Sequence, residues 1–159
     1  MSLVAHGGSH SQHRSAEPIA NNGFWPDLEA EAFRDRHRID TTIPEGRVVH
    51  ALEVAMRDIN RQLADFQARQ EDAGVHAADA VPPEPWQRPG DTTALYRQAV
   101  YAEAHARLLE HYRDYSATRG TGERARENLE DETGDDHRRD ARWAVAELLG
   151  DPHTTVELI

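Results

Sequence analysis

Cysteine, lysine and long apolar runs are all absent from this chain of 159 residues. Without cysteine there can be no disulfide and no thiolate metal site, and the cytosol is the simplest compartment to expect. The uninterrupted apolar runs are only a few residues long, which argues against a transmembrane helix and a membrane partner. Residues 1–8 lack the basic segment and apolar core of a secretion signal, so we expect none.

Positive charge comes from arginine alone. The 18 basic residues are all Arg, and 29 acidic residues bring the net charge to −11. Arg pairs well with carboxylates and suits interfaces, although a biased genomic composition is the simpler explanation for the missing lysine. A strongly negative chain is poorly suited to general DNA binding, because duplex affinity comes largely from neutralising phosphates. The same charge favours solubility before assembly and repels DNA that passes close by.

The chain divides into an arm, a domain and a tail. Residues 1–22 are rich in Ser, Gly, His and Asn and show no apolar period, which predicts a flexible arm. Its histidines, His6, His10 and His13, have no Cys or carboxylate ligands alongside, so we interpret them as solvated. Residues 23–150 are predicted to form an α-helical domain, and residues 151–159 an extended tail.

Apolar spacing in the domain predicts about four helices and no convincing strand, which is typical of a small all-α helical bundle. The helices are expected at residues 27–38, from about 45 to just before Gly74, from Asp91 or Thr92 to about 115, and from about 123 to 149. Thr42 and Glu45 have the spacing of a capping box. Gly134 should break or bend the last helix. The residues expected to face the core are Leu28, Phe33, Val48, Leu52, Ala55, Ile59, Leu63, Phe66, Leu95, Ala99, Ala102, Ala106, Leu109, Tyr112, Ala125, Leu129, Ala141, Ala144, Val145 and Leu148. Tyr96, Val100 and Leu108 are expected on the flank of the buried stripe, and Phe24 and Trp25 as core or staple residues.

A proline-rich segment interrupts the helices at residues 74–91. Its four prolines exclude helix and central strand. A loop of this length usually binds something or lacks order. Trp86 is the lone aromatic in it, and two interpretations stay open: it anchors the loop to the core, or it contacts a neighbouring molecule.

No motif for catalysis or cofactor binding is present. The chain has no Gly-rich phosphate loop, no nucleophile elbow and no zinc-protease histidine pair. His105 and His111 are six residues apart, so they do not share a helical face. We therefore predict no enzymatic activity, no cofactor and no metal site.

The C-terminal region has the features of an interaction surface. Three arginines of the predicted last helix lie close in sequence to several aspartates: Arg138, Arg139 and Arg142. Internal ion pairs are the simplest interpretation, with interface contact and DNA contact as alternatives. The chain then ends in an apolar segment that contains Val156, Leu158 and Ile159. A free apolar terminus is trimmed unless something holds it, so we expect this tail to add a strand to a partner's sheet edge.

A set of short motifs runs in order from residue 24 to residue 159. They are Phe24-Trp25-Pro26-Asp27, Arg38-Ile39-Asp40-Thr41-Thr42-Ile43 with Arg47, Ala51-Leu52, Asn60 with Leu63, Tyr96-Arg97-Gln98-Ala99-Val100-Tyr101, Tyr112-Arg113-Asp114, Ala117-Thr118 with Gly120, Arg138-Arg139-Asp140-Ala141-Arg142-Trp143-Ala144 and Val156-Glu157-Leu158-Ile159. In this order and at these distances, the chain resembles the tailed-phage head completion protein family known as GPL. The Pro-rich stretch at residues 81–90 and the His-rich arm depart from the family pattern.

The resemblance implies a structural protein with no active site. Such proteins resemble α-helical head–tail connector adaptors, which dock beneath the portal protein after DNA packaging, help to retain the genome and present a surface to tail-side connector or terminator proteins. It also implies a ring of about twelve copies in the virion neck, in contact with passing DNA but without sequence-specific binding. The candidate portal or subunit contacts are Trp86, Arg138, Arg139, Arg142, Val156, Leu158 and Ile159. The alternative is a helical protein-interaction adaptor from a prophage region with no portal role.

Overall fold

The computed structural model describes residues 17–119 and 134–151, and these ranges are almost entirely helix and loop. The helices are α1 (Ala30–His37), α2 (Glu45–Gln62), α3 (Ala64–Asp72), α4 (Asp91–Arg119) and α5 (Gly134–Leu149), with a short 3-10 turn at Ala78–Ala80. The predicted all-α class is confirmed. Five α-helices stand in the described ranges where about four were expected, and none of them is long and apolar enough to cross a membrane.

Helix α4 lies at the centre of the bundle, with α2 and α5 packed along it. Because α2 and α5 both pack against it, α4 is buried on more than one face. Small side chains make this close packing possible, since a buried alanine allows two helix backbones to approach. The buried alanines of α4 are Ala99, Ala102, Ala104 and Ala106.

The predicted core residues lie inside wherever the structure describes them. Leu95 and Tyr112 are half-buried, and the others in the described ranges are buried. Ala125 and Leu129 fall outside those ranges. Apolar periodicity therefore located the buried faces correctly.

Helix α5 packs along α4. Its later core residues, Ala144, Val145 and Leu148, belong to the same cluster as buried residues in the first half of α4, from which we infer that the two helices run antiparallel. The start of α5 lies beside the middle of α4, where Gly134 approaches Ala106 and Glu110, and the ring of His137 lies 4.1 Å from that of His105. A Cβ atom at Gly134 would stand only 3.4 Å from the carbonyl oxygen of Ala106. Gly134 is the first described residue of α5, so the helix break or bend predicted there stays a prediction. Residues 123–133 of the predicted fourth helix lie outside the described ranges.

The described structure includes residues 17–22 of the predicted arm, and hydrogen bonds join them to the domain. The backbones of Ile19 and Leu28 exchange two hydrogen bonds, of 2.7 and 3.0 Å. The side chain of Asn21 then donates to the hydroxyl of Tyr96 at 2.8 Å and accepts a hydrogen bond from Asn60 at 2.9 Å. These partners lie far away in the sequence, which is why local composition did not reveal them. Residues 1–16 lie outside the described ranges.

The second predicted helix is two helices, α2 and α3, and Leu63 lies between them. Leu63 is fully buried, and beyond it the ring of Phe66 stacks on Trp25 at 5.9 Å. Trp25 in turn stacks on Tyr96 at 4.5 Å. The helix is interrupted at Leu63, next to this aromatic stack. The spacing of apolar residues in the sequence does not reveal an interruption of a single residue.

The predicted capping box at the start of α2 does not form. The N-cap position is Pro44, and no side chain caps the helix there. The carboxylate of Asp40 instead accepts a hydrogen bond of 2.7 Å from the backbone N–H of Thr42, and this bond lowers the pKa of Asp40. Thr42 is thus used in a turn before the helix, and its side chain is not the cap.

Candidate interaction surface

Trp86 lies exposed in the loop between α3 and α4. Its side chain is 76% exposed, so the interpretation in which it anchors the loop to the core is wrong. The loop is held instead at Ala78, which is buried and donates its N–H to the carbonyl oxygen of Phe24 at 2.9 Å. Beside Trp86, the N–H of Gln87 donates to the carbonyl oxygen of Glu84 at 2.8 Å. Contact of Trp86 with a neighbouring molecule stays a prediction.

Arg138 forms an ion pair between α5 and α4, and both side chains are partly exposed. Its guanidinium donates to both carboxylate oxygens of Glu110, one of them at 2.6 Å. This hydrogen bonding raises the pKa of Arg138. The partner is on α4 and not among the neighbouring aspartates of α5. Arg138 therefore ties α5 to α4, and this use leaves its charge less available to a partner.

Arg139, Arg142 and Trp143 form an exposed patch on α5, which we call the Arg–Trp patch. Arg139 pairs with Asp136 at 3.1 Å, and its guanidinium carbon lies 5.1 Å from the centre of the Trp143 ring. Trp143 is 48% exposed and Arg142 is also exposed. Their spacing of three and four residues places them on one helical face. Tryptophan and arginine are enriched among the residues that dominate protein interfaces.

The loop with Trp86 and the end of α5 share one end of the bundle. Trp86 stands five residues before the start of α4. Because α5 runs antiparallel to α4, it ends near the point at which α4 begins. Gly150 terminates α5 in a left-handed conformation, with φ of 73°. The chain therefore enters its tail from the end of the bundle that carries the Trp86 loop. The tail residues Val156, Leu158 and Ile159 lie outside the described ranges.

Three histidines come together where α1, α4 and α5 meet, and the sequence did not connect them. They are His37 at the end of α1, His105 in α4 and His137 in the first turn of α5. One ring nitrogen from each lies within 4.8 Å of those of the other two. Burial is the largest cause that lowers the pKa of His105, to about 3, and His137 and His37 add to the effect. The only sequence signal was the position of His105 between two core alanines.

The family model described as phage head completion protein (GPL) matches residues 19–159. The chain belongs to this family. It is 31% identical to a head completion/stabilization protein of Escherichia phage P2 over 144 residues, which cover 90% of this chain and 84% of that protein. It is also 31% identical to a probable head completion/stabilization protein of Haemophilus phage HP1 over 98 residues, which cover 62% and 65% of the two chains. No solved structure matches it.

Family membership confirms the resemblance and assigns the chain a structural, non-enzymatic role in completing and stabilising the phage head. The family match begins at Ile19. The backbone of this residue forms two hydrogen bonds with that of Leu28, just before α1. The match extends through residues 152–159, so the apolar tail is part of the region that this head completion protein shares with its family.

Proposed function

We propose that this head completion protein docks beneath the portal protein after DNA packaging, forms a ring of about twelve copies, and offers the surface to which tail-side connector or terminator proteins attach. The ring occupies the virion neck and helps to retain the genome. Before assembly the protein is in the host cytoplasm. The observation that carries the proposal is the 76% exposure of Trp86 at the end of the bundle from which the tail departs.

An exposed tryptophan of this kind favours a protein partner. Large aromatic side chains supply much of the binding energy of interfaces when a partner's pocket covers them. Trp86 is flanked by prolines at 85 and 89, which limit the conformational freedom that the loop loses on binding. The Trp86 loop and the tail together are suited to contact the portal, and the Arg–Trp patch on α5 is suited to contact a neighbouring copy.

The negative charge of the chain allows DNA to pass close by but disfavours tight binding. A net charge of −11 repels phosphates. Arg138 and Arg139, two of the three arginines considered as DNA contacts, are engaged by Glu110 and Asp136. A ring made of such subunits would let the duplex pass and would hold it by closing the neck, not by recognising bases.

The test is complementation of packaged heads that lack this protein. Purified wild-type protein should restore DNase protection of the genome and joining to tails. Trp86→Ala should weaken portal binding by about thirtyfold, which corresponds to a hot spot of about 2 kcal/mol. Deletion of residues 152–159 should abolish joining while the helical content stays unchanged. Glu84→Ala, a neighbouring exposed change in the same loop, is the matched control and should behave as wild type.

Two results would overturn the proposal. One is wild-type activity of both Trp86→Ala and the tail deletion. The other is imaging of joined particles in which the neck contains no ring of this chain. Either result would favour the alternative, a helical adaptor with no portal role.

A further inference from the structure

Three histidine side chains meet in the bundle: His37 at the end of α1, His105 in the middle of α4 and His137 near the start of α5. His37 Nδ1 and His105 Nδ1 are 3.2 Å apart. The centre of the His105 ring lies 5.0 Å from that of His37 and 4.1 Å from that of His137. These residues are 68 and 32 positions apart in the sequence, so only the packing of α1, α4 and α5 brings them together.

The spacing of the nitrogen atoms fits coordination of one metal ion. Zinc–nitrogen bonds of about 2.0–2.1 Å in tetrahedral geometry place two ligand nitrogens about 3.4 Å apart. The 3.2 Å between His37 and His105 is close to this value. All three ligand atoms lie within 4.8 Å of one another, so small rotations of the rings bring the third nitrogen into the same coordination sphere.

The chemistry of the cluster selects the class of metal. Three imidazoles suit Zn²⁺, Cu²⁺ or Ni²⁺, whereas Ca²⁺ and Mg²⁺ require oxygen ligands. His105 is 8% exposed, while His37 and His137 are half-buried. Phe33 packs 5.2 Å from His37 and covers one side of the cluster.

We propose that His37, His105 and His137 form a binding site for one divalent transition-metal ion of the zinc class, with a fourth position open to water or to another ligand. Such an ion joins the end of α1 and the start of α5 to the central helix. Its role is structural, because a bound metal stabilises the folded state by its binding free energy. The site is independent of portal docking and goes beyond the proposed function.

Metal binding is tested on the untagged full-length chain after treatment with a chelator. Calorimetric titration with Zn²⁺ should show one equivalent bound, and the thermal unfolding midpoint should rise with Zn²⁺ concentration. Co²⁺ should bind competitively with Zn²⁺ and produce the visible absorption bands of a four-coordinate ion. These measurements on the wild type do not depend on the folding of any variant.

Two variants and two controls then locate the ion. His37→Gln and His137→Gln each replace a half-buried ligand and should weaken binding at least tenfold. The matched control His50→Gln changes an exposed histidine of α2 and should bind as wild type. A variant with His6, His10 and His13 all changed to Asn removes the histidines of the arm and should also keep one equivalent.

Several results would overturn the proposal. One is a wild type that binds no Zn²⁺, which would make the cluster a hydrogen-bonded set of histidines. The others are loss of binding when the arm histidines are changed, and unchanged binding in both His37→Gln and His137→Gln. Each result would assign any observed metal binding to another part of the chain.

Discussion

Removal of one buried hydroxyl group should measurably destabilise the bundle. Tyr96 is fully buried, and its hydroxyl donates to Asn60 Oδ1 at 2.6 Å and accepts from Asn21 Nδ2 at 2.8 Å. Tyr96→Phe deletes both hydrogen bonds but keeps the ring, which stacks on Trp25 at 4.5 Å. The change therefore isolates the contribution of the hydroxyl from that of the aromatic stack.

The magnitude follows from what the mutation leaves unpaired. A buried polar group that loses its partner costs about 1–3 kcal/mol. Asn21 and Asn60 are half-buried, so water can partly replace the hydroxyl, and we expect a loss of about 1–2 kcal/mol. For a chain of this size this lowers the unfolding midpoint by about 3–6 °C.

Urea unfolding of Tyr96→Phe, Asn60→Ala and the double variant measures the effect. The side chains of Tyr96 and Asn60 share a hydrogen bond. The sum of the stability losses in the two single variants should therefore exceed the loss in the double variant by about 0.5 kcal/mol or more. A loss below about 0.5 kcal/mol for Tyr96→Phe, or strictly additive losses, would refute this account of the network.

The same hydroxyl makes stability depend on alkaline pH. Burial raises the pKa of Tyr96 above its ordinary value of 10.0. Above pH 10 the unfolded chain loses this proton while the folded chain keeps it, so wild-type stability falls as the pH rises, by up to about 1.4 kcal/mol per pH unit. Tyr96→Phe lacks this contribution, and its disadvantage relative to the wild type should shrink above pH 10.

Three further predictions concern stability. Arg38 ends α1 in a left-handed conformation with φ of 50°, so Arg38→Gly should stabilise by about 1 kcal/mol, whereas the control Arg36→Gly inside α1 should destabilise by about as much; urea midpoints in the reverse order would contradict this. Phe33 is fully buried, and Phe33→Ala should cost about 3–5 kcal/mol in the same assay, with less than about 1 kcal/mol counting against its place in the core. Arg138 and Glu110 are 31% and 44% exposed, so a double-mutant cycle should give at most about 1 kcal/mol of coupling, decreasing with salt; coupling that is insensitive to salt would speak against it.

The helices and their buried faces were predictable because they depend on residues close together in sequence. An apolar side chain every three or four positions marks one face of a helix, and this local rule located Val48, Leu52 and Ile59 in the core before any fold was considered. Gly74, in a left-handed conformation just after α3, and the prolines that follow it likewise keep the segment between α3 and α4 from being helical by their own backbone chemistry. The family resemblance rests on the same information, since it depends on residue order.

Tertiary structure alone decided the features that depend on distant residues. Asn21 was assigned to the arm, yet it is ordered by Tyr96, 75 positions away. Local spacing could not settle whether Trp86 packs on the core, and the packed bundle leaves it outside. The three-histidine cluster needed α1, α4 and α5 to meet before its nitrogens came within reach. Apolar periodicity shows which face of a helix is buried, but it does not show which other helix packs against that face. The packing of particular helices against each other is what brings the residues of a site together.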